Sequence, residues 1–266
     1  MPPRPTTTPV SCALALALVT GTPLPARGAT PTGPAPATVA EVEAVALSPA
    51  AAVTVDGMLT DEAWQTARVI DGFRQREPRE GEPATFPTEV RLLVDGSALY
   101  VAVRMHDPEP ARIVGHLTRR DESSPSDWVR VMIDSFNDRR TAYEFAVNPV
   151  GVKQDRYWFN DSNSDRGWDA VWDVATARTE DGWQAEFRLP FSQLRFPRQH
   201  DGRMGFAVMR EVARLNEVST WPLVAMSRVG IVSQFGQLTN LAPGRSPPGP
   251  GPEVGHITAG LIPQRG

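Results

Sequence analysis

Polar and apolar positions alternate most regularly in residues 127–155. Val129, Val131 and Ile133 fall on one side of an extended run, and Trp128, Arg130, Met132 and Asp134 on the other. After a polar turn at residues 135–140, Tyr143, Phe145 and Val147 alternate with Glu144, Ala146 and Asn148. Successive side chains of a strand point to opposite faces, so a period of two in β-branched and aromatic residues marks a half-buried strand. The two runs predict an antiparallel hairpin that turns again at Pro149-Val-Gly151 into a third strand. One face is apolar enough to be core. The other carries Trp128, Arg130, Glu144 and Asn148, a set that is costly to bury away from solvent or a polar ligand.

The same reading extends along the chain. Residues 42–47 and 53–55 predict short edge strands. The turn at Asp56-Gly57 leads into one short helix, with Thr60 as N-cap, Asp61 and Glu62 at its positive end, and Ala63, Trp64 and Ala67 as its buried stripe. Residues 73–87 are polar and proline-rich and predict a loop. Residues 88–95 and 98–106 pair around Asp95-Gly96, a tight-turn signal. Residues 112–118 predict another edge strand. Beyond the central hairpin come a strand at 153–159, a polar loop at 160–167 and a hairpin from 171–178 and 183–189. An irregular crossover at 190–197 and strands at 204–214, 218–221 and 235–238 complete the pattern. A dozen short strands with one short helix predict an all-β fold, an antiparallel β-sandwich of jelly-roll-like form.

The two ends break the pattern. Arg4, the apolar run at residues 10–19 and the small residues after it predict a secretory signal over residues 1–29, cleaved between Ala26 and Ala29. Residues 30–40 read as a disordered linker, 41–242 as the sandwich, and the Pro/Gly-rich 243–266 as a disordered tail. The expectation is an exported, monomeric protein, periplasmic or extracellular. Cys12 is the sole cysteine. It falls in the leader, so the mature chain would lack thiol chemistry and cysteine metal ligands. A net charge of −4 over 266 residues, with no dense basic run, excludes nucleic acid as a partner.

Several fragments occur together in order: Asp56-Gly-Met-Leu-Thr-Asp-Glu-Ala-Trp64, Thr88-Glu-Val90, Ala98-Leu-Tyr-Val101, Arg119-Arg-Asp121, Asp127 to Asp134, Phe145-Ala-Val-Asn-Pro149, Trp183-Gln-Ala-Glu186 and Phe235-Gly-Gln-Leu238. In this arrangement, over residues 53–241, the chain resembles the family 9 carbohydrate-binding module, a β-sandwich related to the DOMON domains. It is most similar to the copies at the N-terminus of bacterial proteins that continue into an outer-membrane β-barrel. The resemblance implies a non-catalytic sugar-binding role accessory to degradation or uptake of xylan- or β-glucan-type polysaccharide, in association with the outer membrane. The family's best-known members hold sugar reducing ends between two tryptophans. Here Ser124-Pro125 and Val229-Gly-Ile231 stand at those two places, the expected acidic residue falls on Arg130 and the expected arginine on Ala146.

Sugar recognition needs aromatic faces for C–H surfaces and fixed polar groups for hydroxyls. The candidates are Trp128, Arg130, Glu144, Asn148, Trp158, Trp168 and Arg210. The competing reading has the aromatics cap the open end of the sandwich, with Arg130 and Glu144 as a cross-strand ion pair. Asp121 and Asp127, within an acidic group that includes Glu122, Asp134 and Asp138, are candidate calcium ligands, with the Asp161/Asp165 loop as the alternative. His106, His116, His200 and His256 lack zinc spacing. Asp134 with Glu144 could form the carboxylate pair of a glycoside hydrolase, although no acidic cluster of the E-x-D-x-x-E kind accompanies them. Haem ligation by Met132 and His116 lacks a C-x-x-C-H motif. Against sugar binding stands a structural or interaction module, the periplasmic piece of an outer-membrane barrel protein.

Overall fold

The computed structural model describes residues 39–48, 51–197 and 200–241. The signal, nearly all of the linker, the tail and Cys12 lie outside these residues. In chain order the strands are β1 (Glu41–Glu43), β2 (Val45–Ala46), β3 (Arg74–Glu77), β4 (Thr88–Val94), β5 (Ala98–His106), β6 (Trp128–Asp134) and β7 (Ala142–Val147). They continue as β8 (Lys153–Phe159), β9 (Asn163–Asp165), β10 (Asp173–Thr179), β11 (Gly182–Pro190), β12 (Met204–Val212), β13 (Glu217–Trp221) and β14 (Gly236–Thr239). The helix α1 is Ala63–Thr66.

The strands form a β-sandwich of two sheets. The larger has the order β1-β14-β12-β6-β7-β8-β9, with β13 also pairing β12 and β3 pairing β13. The smaller has the order β10-β11-β5-β4-β2. All pairings are antiparallel except β1 with β14 and β2 with β4, which are parallel. The single run predicted at residues 42–47 is therefore shared. Its first half adds to one sheet and its second half to the other, with Ala44 fully buried at the crossing.

The central hairpin is β6 and β7, and its alternation is the one the sequence predicts. Val129, Val131, Ile133, Phe145 and Val147 are completely buried in the core between the sheets, together with Val101, Val103 and Phe187 of the smaller sheet. Burial of each such side chain contributes about 1.5–3 kcal/mol.

Two of the fragments that carry the resemblance meet on the outer face of the smaller sheet. Glu186 of β11 is buried there, and its carboxylate accepts Trp64 Nε1–H at 2.8 Å and the backbone N–H groups of Asp56 and Gly57 at 3.0 and 2.9 Å. A Cβ at Gly57 would lie 2.8 Å from the Thr176 backbone, and φ there is +87°, so only glycine lets the turn approach. Trp64, Ala63 and Ala67 then cover Leu93, Ala98, Tyr100 and Ala102.

Several predicted elements differ. Residues 53–55 and 112–118 form no strand: the first run is drawn toward α1 by Thr54 N–H donating to Asp61, and the second is an extended segment after a single turn at Pro110–Arg112. Thr60 does not cap α1, whose first residue follows Glu62 without a side-chain cap. The loop expected at 73–87 contains β3, because a polar edge strand lacks the apolar alternation that marks a buried one. The polar loop at 160–167 likewise contains β9.

Candidate functional site

The outer face of the larger sheet carries the polar half of the central hairpin. Arg130 on β6 donates to Glu144 of β7 at 3.1 Å, to Gln154 of β8 at 3.3 Å and to Glu211 of β12 at 3.2 Å. Glu144 is the hub. Its Oε2 accepts Trp158 Nε1–H at 2.8 Å, and its Oε1 also faces Arg156 Nε at 3.6 Å. Antiparallel register places Glu144 opposite Arg156 and Met132, so these side chains rise from one face. The Trp128 ring lies beneath the Arg130 guanidinium, 5.5 Å from its centre.

Two segments flank this row. Residues 120–127 run along the edge of β8 and return to β6. The Glu122 carbonyl accepts Gln154 Nε2–H, and the Ser124 carbonyl accepts Trp128 Nε1–H. On the other side Val224, Ile231, Val232 and Phe235 pack on Met132, Ala142, Ala207 and Trp158. Asp161, in the β8–β9 turn, holds that second wall. Its carboxylate accepts the backbone N–H groups of Ile231 and Ser233 and the Ser233 hydroxyl, at 3.0, 2.8 and 2.8 Å. The floor between the walls remains partly open. The side chains of Arg130 and Arg156 are 13% and 16% exposed and that of Glu211 35%, whereas Glu144 is 2% exposed.

Arg130, Glu144, Trp128 and Trp158 are thus brought together, with Trp128 buried and Trp158 half-buried. The other predicted residues are elsewhere. Asn148 is completely buried and holds the β7–β8 turn, accepting Val150 and Val152 N–H and donating to the His116 carbonyl. Trp168 packs on the core side of the sheet against Tyr143 and Phe145, at 4.8 and 5.7 Å between ring centres. Beside it Trp172 lies against Phe145 and Phe187, so these aromatics close an edge of the sandwich. Arg210 points between the sheets, donating to the carbonyls of Phe86, Pro87 and His106 and to Thr88. Its place was legible in the sequence, since it continues the inward series Met204, Phe206, Val208. Gln154, Arg156 and Glu211 share the face but escaped the prediction, because strand register alone places them beside Glu144 and Arg130.

Asp121 and Asp127 have separate duties. Asp121 accepts Asp155 N–H and faces Arg120 at 3.6 Å, while Asp127 accepts Ala213 N–H. Among the described residues no group of three or more His, Cys, Asp or Glu side chains could hold a metal ion. The Asp134 carboxylate, paired with Glu144 in the hydrolase reading, is fully buried and accepts the N–H groups of Asp138 and Arg139. Burial raises its pKa to about 6. Burial also lowers the pKa of Arg156, against the pull of Glu144 and with the repulsion of Arg130 and Arg166.

Fold and face together define a β-sandwich module that displays its polar chemistry on the outside of one sheet. Residues 55–217 match the family described as "Carbohydrate family 9 binding domain-like", and the chain belongs to that family. Among solved structures, a family 9 carbohydrate-binding module from Caldicellulosiruptor kristjanssonii in complex with glucose has 19% identity and a TM-score of 0.54, covering 79% of this chain and 100% of its own. A complex of such a module from the same organism with cellotriose has 21% identity and a TM-score of 0.51, with 79% and 100% covered. A protein from Bacteroides uniformis, proposed to bind carbohydrate, has 9% identity and a TM-score of 0.61, with 76% and 99% covered. At these identities the likeness is one of fold. Comparison with curated proteins gives no match.

Proposed function

We propose that this chain is a carbohydrate-binding module whose ligand lies on the outer face of the larger sheet, between residues 120–127 and residues 224–235. The observation that carries this reading is the row Glu211, Arg130, Glu144 and Arg156, laid across four strands and left partly open between two walls. Guanidinium forks donate in pairs to neighbouring hydroxyls, carboxylates accept from them, and a fixed row of both pre-orients the contacts. Relatives of the family solved with glucose and cellotriose support the choice of ligand class. The leader-like residues 1–29 support export, with a role beside enzymes that degrade or import xylan- or β-glucan-type polymers.

Affinity electrophoresis and calorimetry against a panel of neutral and acidic plant polysaccharides and their oligomers test the proposal. Binding to at least one is expected, and Arg130→Gln should weaken it about tenfold, the worth of one charge-assisted hydrogen bond. A folded protein retained by none of them, or an Arg130→Gln variant bound as tightly as the parent, would overturn it. N-terminal sequencing of protein recovered from the periplasm should begin between residues 27 and 30 if the leader is cleaved as expected.

A further inference from the structure

The arginines on the floor of this valley are unequally paired. Arg130 is held on two sides, by Glu144 and Glu211. Arg156 is not. Among the described residues its nearest carboxylate is Glu144 at 3.6 Å, already engaged by Arg130 and by Trp158 Nε1–H, and its one hydrogen bond is a long 3.4 Å contact to Gln154. Asp121, another carboxylate that acts on Arg156, is shared with Arg120 at 3.6 Å, and Arg120 pairs more closely with Asp155 and Asp169 at 2.6 and 2.8 Å. Arg166, exposed and bound only to the Ser123 hydroxyl at 3.3 Å among the described residues, adds a third positive charge. Three guanidinium groups thus face Glu144, Glu211 and Asp121, yet Arg156, partly exposed on the floor, has no carboxylate oxygen within 3.5 Å among the described residues.

The apolar side of the valley points the same way. A neutral sugar is gripped largely by aromatic faces against its C–H surfaces. Here Trp128 is 2% exposed, and Trp158 is half-buried against Met132 and Ala142 with its ring nitrogen committed to Glu144. The walls offer Pro125 on one side and Val229, 95% exposed, on the other. Neither is an aromatic plate. With little stacking surface, recognition depends on charge.

We infer that the preferred occupant is an acidic glycan, one whose uronate carboxylate takes the Arg156 guanidinium, with neighbouring hydroxyls on Arg130 and Glu211. This rests on the carbohydrate-binding reading and narrows it. A carboxylate on Arg156 would form the bidentate pair that the protein itself does not supply, in a site where burial strengthens it.

The test compares xylotriose bearing one glucuronic acid with uncharged xylotetraose by calorimetry at low and at 0.5 M salt, with sodium acetate as a control for a simple anion. The uronate ligand should bind at least about tenfold more tightly than the neutral one at low salt, and the gap should narrow in high salt as the charges are screened. Arg156→Gln should bring the two ligands to similar affinity, and Arg156→Lys should restore part of the difference, because it keeps the charge and loses the fork. Equal binding of both ligands by the parent protein overturns the inference and leaves sugar binding intact. Displacement of the uronate ligand by equimolar acetate also overturns it, marking a general anion site. Failure of both oligosaccharides overturns the inference and, if the wider panel fails as well, the carbohydrate reading with it.

Discussion

Asp134 illustrates how a residue's role departs from its residue type. In the alternating pattern it belongs to the polar face, yet it is fully buried at the end of β6, where its carboxylate collects backbone N–H groups from the turn that follows. Gly205 on the neighbouring strand leaves it room, since a Cβ there would come within 2.8 Å of the Asp134 Cβ. Its pKa near 6 exceeds the roughly 3.9 of an unfolded aspartate, so between those values the folded state holds the proton more tightly. Asp134 therefore contributes a loss of stability as pH rises from about 4 to about 6, worth on the order of 2–3 kcal/mol in total. Replacement by Asn removes the titration. Urea unfolding across that range should show Asp134→Asn gaining on the parent protein as pH increases, and a constant difference between the two would refute the assignment. A similar economy of type governs Asn148 and Glu186. Both sit in fragments that carry the family resemblance; Asn148 holds backbone N–H groups of its turn, and Glu186 holds those of Asp56 and Gly57 together with Trp64 Nε1–H.

At the level of elements, the site is made by connections more than by strands. β6, β7, β8 and β12 supply the floor, but the second wall stays in place through the contact between Asp161 and residues 230–233. Gly230 has φ of +87°, and a Cβ there would fall 1.9 Å from Asp161 Oδ2. No other residue type fits without displacing the carboxylate. Asp161→Ala should free residues 231–235 while leaving the sandwich folded. Hydrogen exchange would then be faster by about tenfold or more at Ser233, whose N–H donates to that carboxylate, with the central hairpin unchanged, and, on the proposed function, glycan binding weaker. Unaltered exchange at Ser233 would mean that the Asp161 backbone carbonyl, which accepts the Ile231 and Val232 N–H groups, and the apolar contacts of Val224, Val232 and Phe235 hold the wall without the carboxylate. The alternation of β6 and β7 was readable from sequence because each strand buries one face. The walls were not, since residues 120–127 and 224–235 lack a period and are placed by contacts distant in the chain, such as Gln154 with Glu122 at a separation of 32 and Ser233 with Asp161 at 72.

For the whole molecule the decisive polar link is Arg210. It reaches from β12 in the larger sheet to carbonyls at the ends of β4 and β5 in the smaller one, with Asp107, Asp127 and Glu217 as surrounding charges. Burial lowers its pKa to about 10, which leaves it cationic at neutral pH. Arg214 pairs with Asp107 at 2.6 and 2.7 Å alongside it. Removing one member of such a buried network strands the others, so Arg210→Met should cost about 3–5 kcal/mol. Arg188→Met, at a half-open pair with Asp173 on the smaller sheet, should cost less than about 1 kcal/mol. Guanidinium unfolding of the two variants measures the contrast, and equal losses would mean that the sheets are joined by their apolar core alone.

Strand periodicity and turn chemistry are local, so the chain's order of residues was enough to establish an all-β sandwich, its central hairpin and the apolar face that meets the second sheet. It was also enough to bring Arg130 and Glu144 together, because two residues on facing strands of one hairpin share a register. Which of the remaining polar side chains joined them depended on pairings between distant strands. β8 and β12 added Arg156, Gln154 and Glu211 to the row, while Trp168 and Arg210 turned inward to fill and tie the space between the sheets. Packing settled that division, since a side chain's neighbours across a sheet come from segments whose register only the assembled fold establishes.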